Sequence, residues 1–238
     1  MPVEEESAIA RVEGDAYTFP HQGEMAADNT ALMIIDMQAD FLAEGGYAHT
    51  LGADLPRMRA IIPHQQKILA EARRVGMLVI YTREGHRPGG DDITSVKRFR
   101  SRLGGLGVGD DSPLGKVLTR GEAGWQVIPE LAPQPSEPTI DKVGSGSFYG
   151  TETEHLLRRR GVENLIFVGV TTECCVHTSL REASDRGFDN VLVEDACAAT
   201  TAELQTAAIA IVRNPNTLFG TVTQTQRLLA GLAFLPSR

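Results

Sequence analysis

An aspartate, a lysine and a cysteine in this sequence each follow an apolar run, and their side chains could together perform nucleophilic chemistry. Asp36 directly follows ALMII, Lys142 follows PTID, and Cys175 follows NLIFVGV through the turn TTEC. A thiol attacks a carbonyl once it is ionised, and a helix start or a nearby ammonium lowers a cysteine pKa. The pattern predicts a Cys175 nucleophile activated by Lys142, with Asp36 as general base and acid and backbone N–H groups receiving the oxyanion.

Each of these three residues also has an ordinary structural explanation. An aspartate after a buried strand often caps a helix or hydrogen-bonds within a loop. A loop lysine is usually solvated, and a cysteine in apolar surroundings is usually inert packing, as we expect for Cys197. Spacing alone therefore leaves the catalytic and structural alternatives open.

Short apolar runs alternate along the chain with longer amphipathic stretches, and these elements must position the three residues. The apolar runs predict buried parallel strands at residues 31–35, 77–81, 164–170 and 190–195. Helical spacing predicts helices at residues 58–76, 151–161, 174–187 and 200–214. This alternation predicts an α/β fold, a three-layer α/β/α sandwich with a mostly parallel central sheet, whose ligands bind at the carboxyl ends of the strands.

Two helix starts and one irregular segment complete this outline. Thr151 with Glu154 and Thr200 with Glu203 fit the spacing of a capping box. Residues 83–137, rich in Gly, Pro and charge, predict long loops with one short helix over the active-site end of the sheet.

Length and composition favour one globular domain that acts on a small molecule. The chain has 238 residues, 42% of them hydrophobic, which we divide into an N-terminal extension (1–27) and one domain (28–238). The net charge of −8, with interspersed signs, argues against nucleic-acid and membrane partners. The acidic N-terminus resembles no signal peptide and no apolar run is as long as a membrane span, so we expect a cytoplasmic protein. Three cysteines without CxxC spacing predict reduced thiols.

Three blocks of the sequence resemble the signature blocks of the isochorismatase-like cysteine hydrolases. They are DMQADF (36–41), TIDKVGSGSFYGT (139–151) and GVTTECCVHTSLREASDRGFDNVLVEDACAAT (169–200), and the resemblance extends over residues 28–233. It implies that Asp36, Lys142 and Cys175 form the catalytic triad of the family, and that Cys174 occupies a variable position. It also implies a cis peptide between Val170 and Thr171, with the N–H groups of Thr171 and Cys175 forming the oxyanion hole.

Two branches of this family have catalytic or metal-binding residues that differ from those of this sequence. Some isochorismatases lack the cysteine and cleave a vinyl ether, so Cys175 favours amide hydrolysis. Nicotinamidases bind a metal through an Asp and His cluster, whereas His49, His64 and His86 show no DxHxxxH spacing. We therefore predict no metal ion and no cofactor, and interpret His86 as a loop hydrogen-bonder.

Within the family, the sequence most resembles biuret hydrolases and their ureido-amide relatives. The segments that carry this likeness are DNTALMIIDMQADF, YTREGHRP, LTRGEAGWQVIPEL, TSLREASDRGF and FGTV. Biuret hydrolases carry a second lysine at the position of Ser145 and a glutamine at that of Pro215. A less positive pocket suits a cationic far end, so the predicted substrate is biuret or an analogue such as guanylurea. Ureidoacrylate, another N-carbamoyl amide or triuret is the alternative within the family.

Further side chains are candidates for the pocket wall. Phe41 is expected either to wall the site or to pack in the core. Gln38, Arg83, Glu84 and Asn216 are candidates for gripping a ureido group, or else solvated loop residues. Trp125, the only tryptophan, is a packing residue, a subunit-interface anchor or a ligand contact.

Two further expectations concern what the protein does as a whole. A catalytically silent binding or scaffold protein on the same fold is the alternative of a different class, although such a protein would be expected to lose one triad residue. The resemblance implies a homo-oligomer, often a tetramer, in which the extension before Asp28 could cross a neighbouring subunit.

Overall fold

Six parallel strands form the central sheet of the chain, which a computed structural model describes over residues 10–237. They are β1 (Thr30–Ile35), β2 (Leu78–Glu84), β5 (Thr139–Lys142), β6 (Asn164–Val170), β7 (Asp189–Ala198) and β8 (Thr221–Thr223), while β3 (Asp111–Ser112) and β4 (Gly115–Lys116) form a separate antiparallel pair. The order in the main sheet is β5-β2-β1-β6-β7-β8. Every neighbouring pair in it is parallel, so the carboxyl ends of all six strands lie at one edge.

Helices cover both faces of this sheet. They are α1 (Ala39–Leu42), α2 (Tyr47–Thr50), α3 (Leu55–Arg59), α4 (Ile62–Val75), α5 (Ser95–Ser101), α6 (Thr153–Arg159), α7 (His177–Asp185), α8 (Ala202–Arg213) and α9 (Thr225–Leu232), with 3₁₀ turns at Arg102–Gly104 and Pro129–Leu131 and a π turn at Thr172–Val176. Residues of α4 and α9 pack in one apolar core and residues of α6, α7 and α8 in a second. The predicted three-layer α/β/α sandwich is confirmed.

The strand β2 runs three residues beyond the predicted end at Tyr81. Tyr81 to Glu84 pair with β5, which the apolar pattern did not predict as a strand because it has only four residues. The extension matters for the site, because it carries Glu84 to the carboxyl edge of the sheet.

The predicted helix over residues 58–76 is two helices in the structure. Pro63 lies in the first turn of α4, where its missing N–H costs no hydrogen bond, and α3 has already ended at Arg59. The periodic pattern continues across this junction because both helices turn an apolar face to the same core.

Both predicted capping boxes are wrong in detail. The helix α6 begins at Thr153 with Glu152 at the N-cap, and the Thr151 hydroxyl donates to the Ser147 carbonyl and accepts from the Thr153 N–H at 3.3 Å rather than from the Glu154 N–H. At α8 the N-cap is Thr201, whose hydroxyl accepts from the Leu204 N–H at 3.2 Å. Adjacent threonines can each cap a helix, so the sequence does not decide between them.

The N-terminal extension packs against its own chain from Ala10 onward. Val12 pairs with Phe19, and Asp15 pairs antiparallel with Val222 at the edge of β8. Phe19 is fully buried in the core shared with α4 and α9. The expectation that this extension crosses a neighbouring subunit stays a prediction, and its first nine residues lie outside the described part.

The irregular segment folds as expected into loops and one short helix, α5, with the small β3–β4 pair. Across residues 10–237, no helix is long and apolar enough to cross a membrane.

Candidate active site

The structure brings Asp36, Lys142 and Cys175 together at the carboxyl edge of the sheet. Asp36 follows β1, Lys142 ends β5, and Cys175 lies in the π turn after β6. The Lys142 Nζ lies 2.7 Å from Asp36 Oδ2, and neither side chain is exposed. Since β2 lies between β5 and β1, its last residue, Glu84, also reaches this cluster. One donor atom each of Asp36, Glu84 and Cys175 lies within 4.8 Å of the others.

The ammonium of Lys142 is fixed on several sides. It donates to the carbonyls of Gly144 and Ser145, both at 2.9 Å, besides contacting Asp36. On the other side of the pair, the Thr82 hydroxyl donates to Asp36 Oδ1 at 2.6 Å. These contacts compensate a buried charge pair whose desolvation would otherwise be costly.

Glu84 contacts charged or polar groups of this cluster through each of its carboxylate oxygens. Its Oε2 accepts from the Cys175 thiol, with an Sγ···O distance of 3.4 Å, and lies 3.5 Å from Lys142 Nζ. Its Oε1 accepts from Lys97 Nζ at 2.6 Å, and the same ammonium donates to the Val143 carbonyl. The centre therefore holds two carboxylates, two ammonium groups and the thiol.

Burial and charge act differently on the two carboxylates. Complete burial raises the pKa of Asp36, and Lys142 offsets only part of this shift. Burial also works to raise the pKa of Glu84, but the ammonium groups of Lys142 and Lys97 outweigh it, so this pKa lies below its ordinary value. Burial alone would lower the pKa of Lys142, yet the negative charges of its neighbours raise it. The lysine thus remains an ammonium.

The paired cysteines have opposite electrostatics, contrary to the sequence-based expectation. The pKa of Cys175 is raised by the hydrogen bond with Cys174, by burial and by the nearby carboxylates, and Lys142 opposes this only in part. The hydrogen bond with Cys175 and a second with Ser145 lower the pKa of Cys174 to about 7, although partial desolvation of its thiol opposes them. The residue as a whole is exposed. The raised pKa of Cys175 favours the neutral thiol over the thiolate.

A cavity of about 460 Å³ opens above Cys175. Its apolar wall includes Phe41, Tyr47, Ala48, Leu51, Val108 and Leu118, and its polar wall includes Glu84, Lys97, Ser145, Thr171, Glu173 and Thr200. A concave site of this size with convergent polar groups is typical of small-molecule pockets.

Comparison with known proteins places this site in a family. The Isochorismatase domain profile matches residues 30–227. The chain belongs to the isochorismatase family. It is 29% identical over 219 residues to ureidoacrylate amidohydrolase RutB of Acinetobacter baylyi, covering 87% of this chain and 85% of that protein. It is 31% identical over 210 residues to ureidoacrylate amidohydrolase RutB of Variovorax paradoxus, covering 83% and 79%.

Solved structures give the same family and fold. A cysteine hydrolase from Pseudomonas syringae pv. phaseolicola superposes with a TM-score of 0.75 at 25% identity, covering 88% of this chain and 94% of that one. The isochorismatase-family fold therefore accounts for nearly the whole chain.

Two of the predicted pocket residues line the cavity of this isochorismatase-family site, namely Phe41 and Glu84. Phe41 also packs in the core, so both of its alternatives hold. Ser145 lies in the wall as well, whereas Pro215 lies in the exposed loop after α8.

Gln38, Arg83 and Asn216 do not line the cavity, so the prediction that they grip substrate is corrected. The Gln38 amide is occupied by the backbone of Glu84 and the Trp125 carbonyl. Arg83 points to the opposite face of β2 from Glu84, pairs with Asp141 at 2.8 Å and stacks on Trp125 at 3.6 Å. Asn216 is exposed in the loop after α8. Trp125 packs against Arg83 and does not line this cavity.

Sequence reasoning missed Lys97, Thr82 and Glu173. Lys97 lies among arginines in SVKRFRS, and nothing in that segment marks the lysine that points inward. A usable signal was Glu84 itself, because a carboxylate buried at a strand end needs a cation. Glu173 lies in the cavity wall, where its Oε1 accepts from the Thr200 N–H and hydroxyl.

Thr171, one of the two implied oxyanion residues, lies next to the other, Cys175, in the cavity wall. The Val170–Thr171 peptide is cis, as the resemblance implies, and Thr171 lines the cavity beside Cys175. Its role, like that of the Cys175 N–H, stays a prediction.

The spacing of Asp36, Glu84 and Cys175 would suit a metal ion. However, the Lys142 ammonium already contacts both carboxylates, at 2.7 and 3.5 Å. This favours the prediction of no metal. His86, also predicted to bind none, is buried with Nδ1 at 3.2 Å from Asp92, which agrees with a loop hydrogen-bonder.

Proposed function

We propose that this chain is a cysteine-dependent amidohydrolase that cleaves a small N-carbamoyl (ureido) amide. The observation that carries the proposal is the buried cluster of Asp36, Lys142 and Cys175 beneath a cavity that opens directly onto the thiol. Two relatives, each about as long as this chain, are named ureidoacrylate amidohydrolases, which supports the ureido class.

The proposed reaction proceeds through a thioester at Cys175. The sulfur bonds to the carbonyl carbon, the C–N bond breaks, and the thiol proton passes to the leaving nitrogen. The N–H groups of Thr171 and Cys175 stabilise the oxyanion. Water then attacks the thioester, which returns the thiol and releases the acid. Lys142 offsets the negative charges of Asp36 and Glu84 in both steps, because its ammonium remains protonated beside them.

Relatives favour ureidoacrylate as the first substrate to test. A second candidate, biuret or guanylurea, is supported by the charges of the cavity. Among the described residues, Glu173 has no ion-pair partner, and Lys97, the ammonium in the wall, is engaged by Glu84. A substrate with a carboxylate would therefore meet the unpaired Glu173 carboxylate and no unpaired cation in this wall. A substrate whose end away from the scissile bond is neutral or cationic would avoid this repulsion.

Steady-state kinetics on ureidoacrylate, biuret, guanylurea and triuret, with ammonia release as the readout, test the proposal. We expect turnover of at least one of them by the parent protein and none by Cys175→Ser. Glu173→Gln removes the negative charge from the cavity wall and nearly keeps the side-chain size. It should lower the KM for ureidoacrylate relative to the KM for guanylurea. Inactivity on all four, or a preference for an aromatic amide, would refute the ureido class.

A stoichiometric labelling experiment separates this enzyme from a scaffold protein on the same fold. In a Cys174→Ala background, iodoacetamide should modify Cys175, and modification should abolish turnover. A protein in which Cys175 is modified but which had no turnover before the modification would instead fit the scaffold.

A further inference from the structure

Lys97 brings a second ammonium group into the wall of the cavity. Its Nζ donates to Glu84 Oε1 and to the Val143 carbonyl, both at 2.6 Å. A lysine ammonium has three N–H donors and no acceptor, so these two bonds leave one donor. Lys97 lines the cavity and 27% of its side chain is exposed, so the third N–H is available to a molecule bound there.

Glu84 sets the distance between this ammonium and the thiol. One of its carboxylate oxygens, Oε2, lies 3.4 Å from Cys175 Sγ, and the other, Oε1, lies 2.6 Å from Lys97 Nζ. The Lys97 ammonium is therefore separated from the sulfur by the width of one carboxylate group. A carbonyl carbon attacked by Cys175 and a second carbonyl on the same urea nitrogen span a comparable distance, because only one nitrogen lies between the two carbonyl carbons.

The charge of Lys97 is already balanced, which limits the kind of group that its third N–H can bind. Glu84 pairs with it at 2.6 Å, and Glu173, in the same wall, has no ion-pair partner among the described residues. A substrate carboxylate would be repelled by both carboxylates, and an amidinium would turn N–H donors towards an N–H donor. A neutral carbonyl oxygen accepts the remaining hydrogen bond without adding charge.

We propose that Lys97 is a specificity-determining residue, whose third N–H donates to a second carbonyl on the urea nitrogen of the substrate. The assignment rests on the proposed function and deepens it, because it names the substrate class as an acyl urea. In an acyl urea, one nitrogen joins the carbonyl attacked by Cys175 to another carbonyl. Biuret and triuret belong to this class, whereas guanylurea has an amidinium carbon at the second position and ureidoacrylate has a vinyl carbon.

Two neutral ureas of the same shape test this contact. N-acetylurea has a second carbonyl on the urea nitrogen, and in N-isopropylurea a methyl group replaces that carbonyl oxygen. Both are uncharged, so a change in the charge of the cavity wall affects their binding alike. A hydrogen bond to the second carbonyl would separate them. The Cys175→Ser protein prevents turnover at the sulfur, and titration calorimetry measures the two dissociation constants.

The Cys175→Ser protein should bind N-acetylurea about 10-fold or more tightly than N-isopropylurea, because the carbonyl accepts from a charged donor. Adding Lys97→Met should abolish this difference. Adding Lys116→Met, which removes an exposed lysine paired with Asp111 outside the cavity, should keep it. Equal binding of the two ureas by Cys175→Ser, or a difference that survives Lys97→Met, would overturn the assignment.

A crystal structure of Cys175→Ser with N-acetylurea provides a second measurement that needs no change at Lys97. We expect the acetyl oxygen within hydrogen-bond distance of Lys97 Nζ, with the carbamoyl carbon beside the side chain at position 175. An acetyl oxygen that contacts another group instead would overturn the assignment.

Turnover tests the proposed function separately. A parent protein that releases ammonia from a ureido amide, but whose Cys175→Ser variant does not distinguish the two ureas, loses only the assignment to Lys97. A parent protein that turns over none of ureidoacrylate, biuret, guanylurea and triuret refutes the proposed function, and the assignment with it.

Discussion

The Lys142 ammonium lies 2.7 Å from the Asp36 carboxylate, and both side chains are completely buried. They come from strands that are not neighbours, since β2 separates β5 from β1. This pair therefore joins distant segments of the chain beside Cys175, and its charges have no solvent to compensate them.

Removing one partner of this pair should destabilise the fold more than removing both. Lys142→Met leaves the buried Asp36 carboxylate without its cation, while Glu84 keeps Lys97, and we expect a loss of about 3–5 kcal/mol in the free energy of unfolding. The double variant Asp36→Asn with Lys142→Met should lose less. Urea denaturation at pH 7 measures both, and equal losses would show that the pair is not coupled.

The two adjacent cysteines should respond differently to substitution. Cys175→Ser should abolish turnover, because the sulfur is the proposed nucleophile, whereas Cys174→Ala should change the rate less than about threefold. The reason is positional, since Cys174 is exposed while Cys175 is buried beneath the cavity.

The pH dependence of alkylation by iodoacetamide should also differ between Cys174 and Cys175. Since the pKa of Cys174 is lowered to about 7 by its hydrogen bond with Cys175, it should be modified at a lower pH than a free thiol. Cys175→Ala should remove that hydrogen bond and move the midpoint of Cys174 alkylation to higher pH. Peptide mapping by mass spectrometry identifies which cysteine has reacted.

Gln38→Leu should lower kcat and leave KM nearly unchanged. The Gln38 amide makes three hydrogen bonds, to the Glu84 N–H, the Glu84 carbonyl and the Trp125 carbonyl, and none of these groups would find another partner. We expect a loss of about 2–4 kcal/mol in unfolding free energy together with a misplaced Glu84. A rise in KM alone would instead indicate that Gln38 binds substrate.

The sequence was sufficient to predict the layers and the clustering of Asp36, Lys142 and Cys175, because long apolar runs and family blocks mark them. Glu84 was recognised only as a candidate for binding substrate, since its contacts with Lys142, Lys97 and Cys175 depend on β2 reaching the edge between β1 and β5. Lys97 was missed because its position follows from the placement of α5, a helix of which no described residue is buried and whose pattern therefore carries no signal.

The partners of Gln38 and Arg83 also could not be predicted from the sequence. Both are polar residues near a strand end, which is where substrate ligands are sought. Gln38 instead bonds backbone groups of Glu84 and Trp125. Arg83 points to the other face of β2 and stacks on Trp125. These partners are properties of the assembled fold.

Glu84→Gln should lose stability at neutral pH and not at low pH. The folded pKa of Glu84 lies below the ordinary value of 4.5, because Lys142 and Lys97 outweigh burial. A depressed carboxyl pKa stabilises the fold above the unfolded pKa, and this contribution disappears as the pH falls through the folded pKa. The difference in unfolding free energy between parent and Glu84→Gln should therefore be about 1–3 kcal/mol at pH 7 and should vanish at acid pH. Denaturation curves from pH 7 downward measure it, with Glu173→Gln as the control carboxylate, and a difference that stays constant with pH would mean that Glu84 stabilises the fold through packing rather than charge.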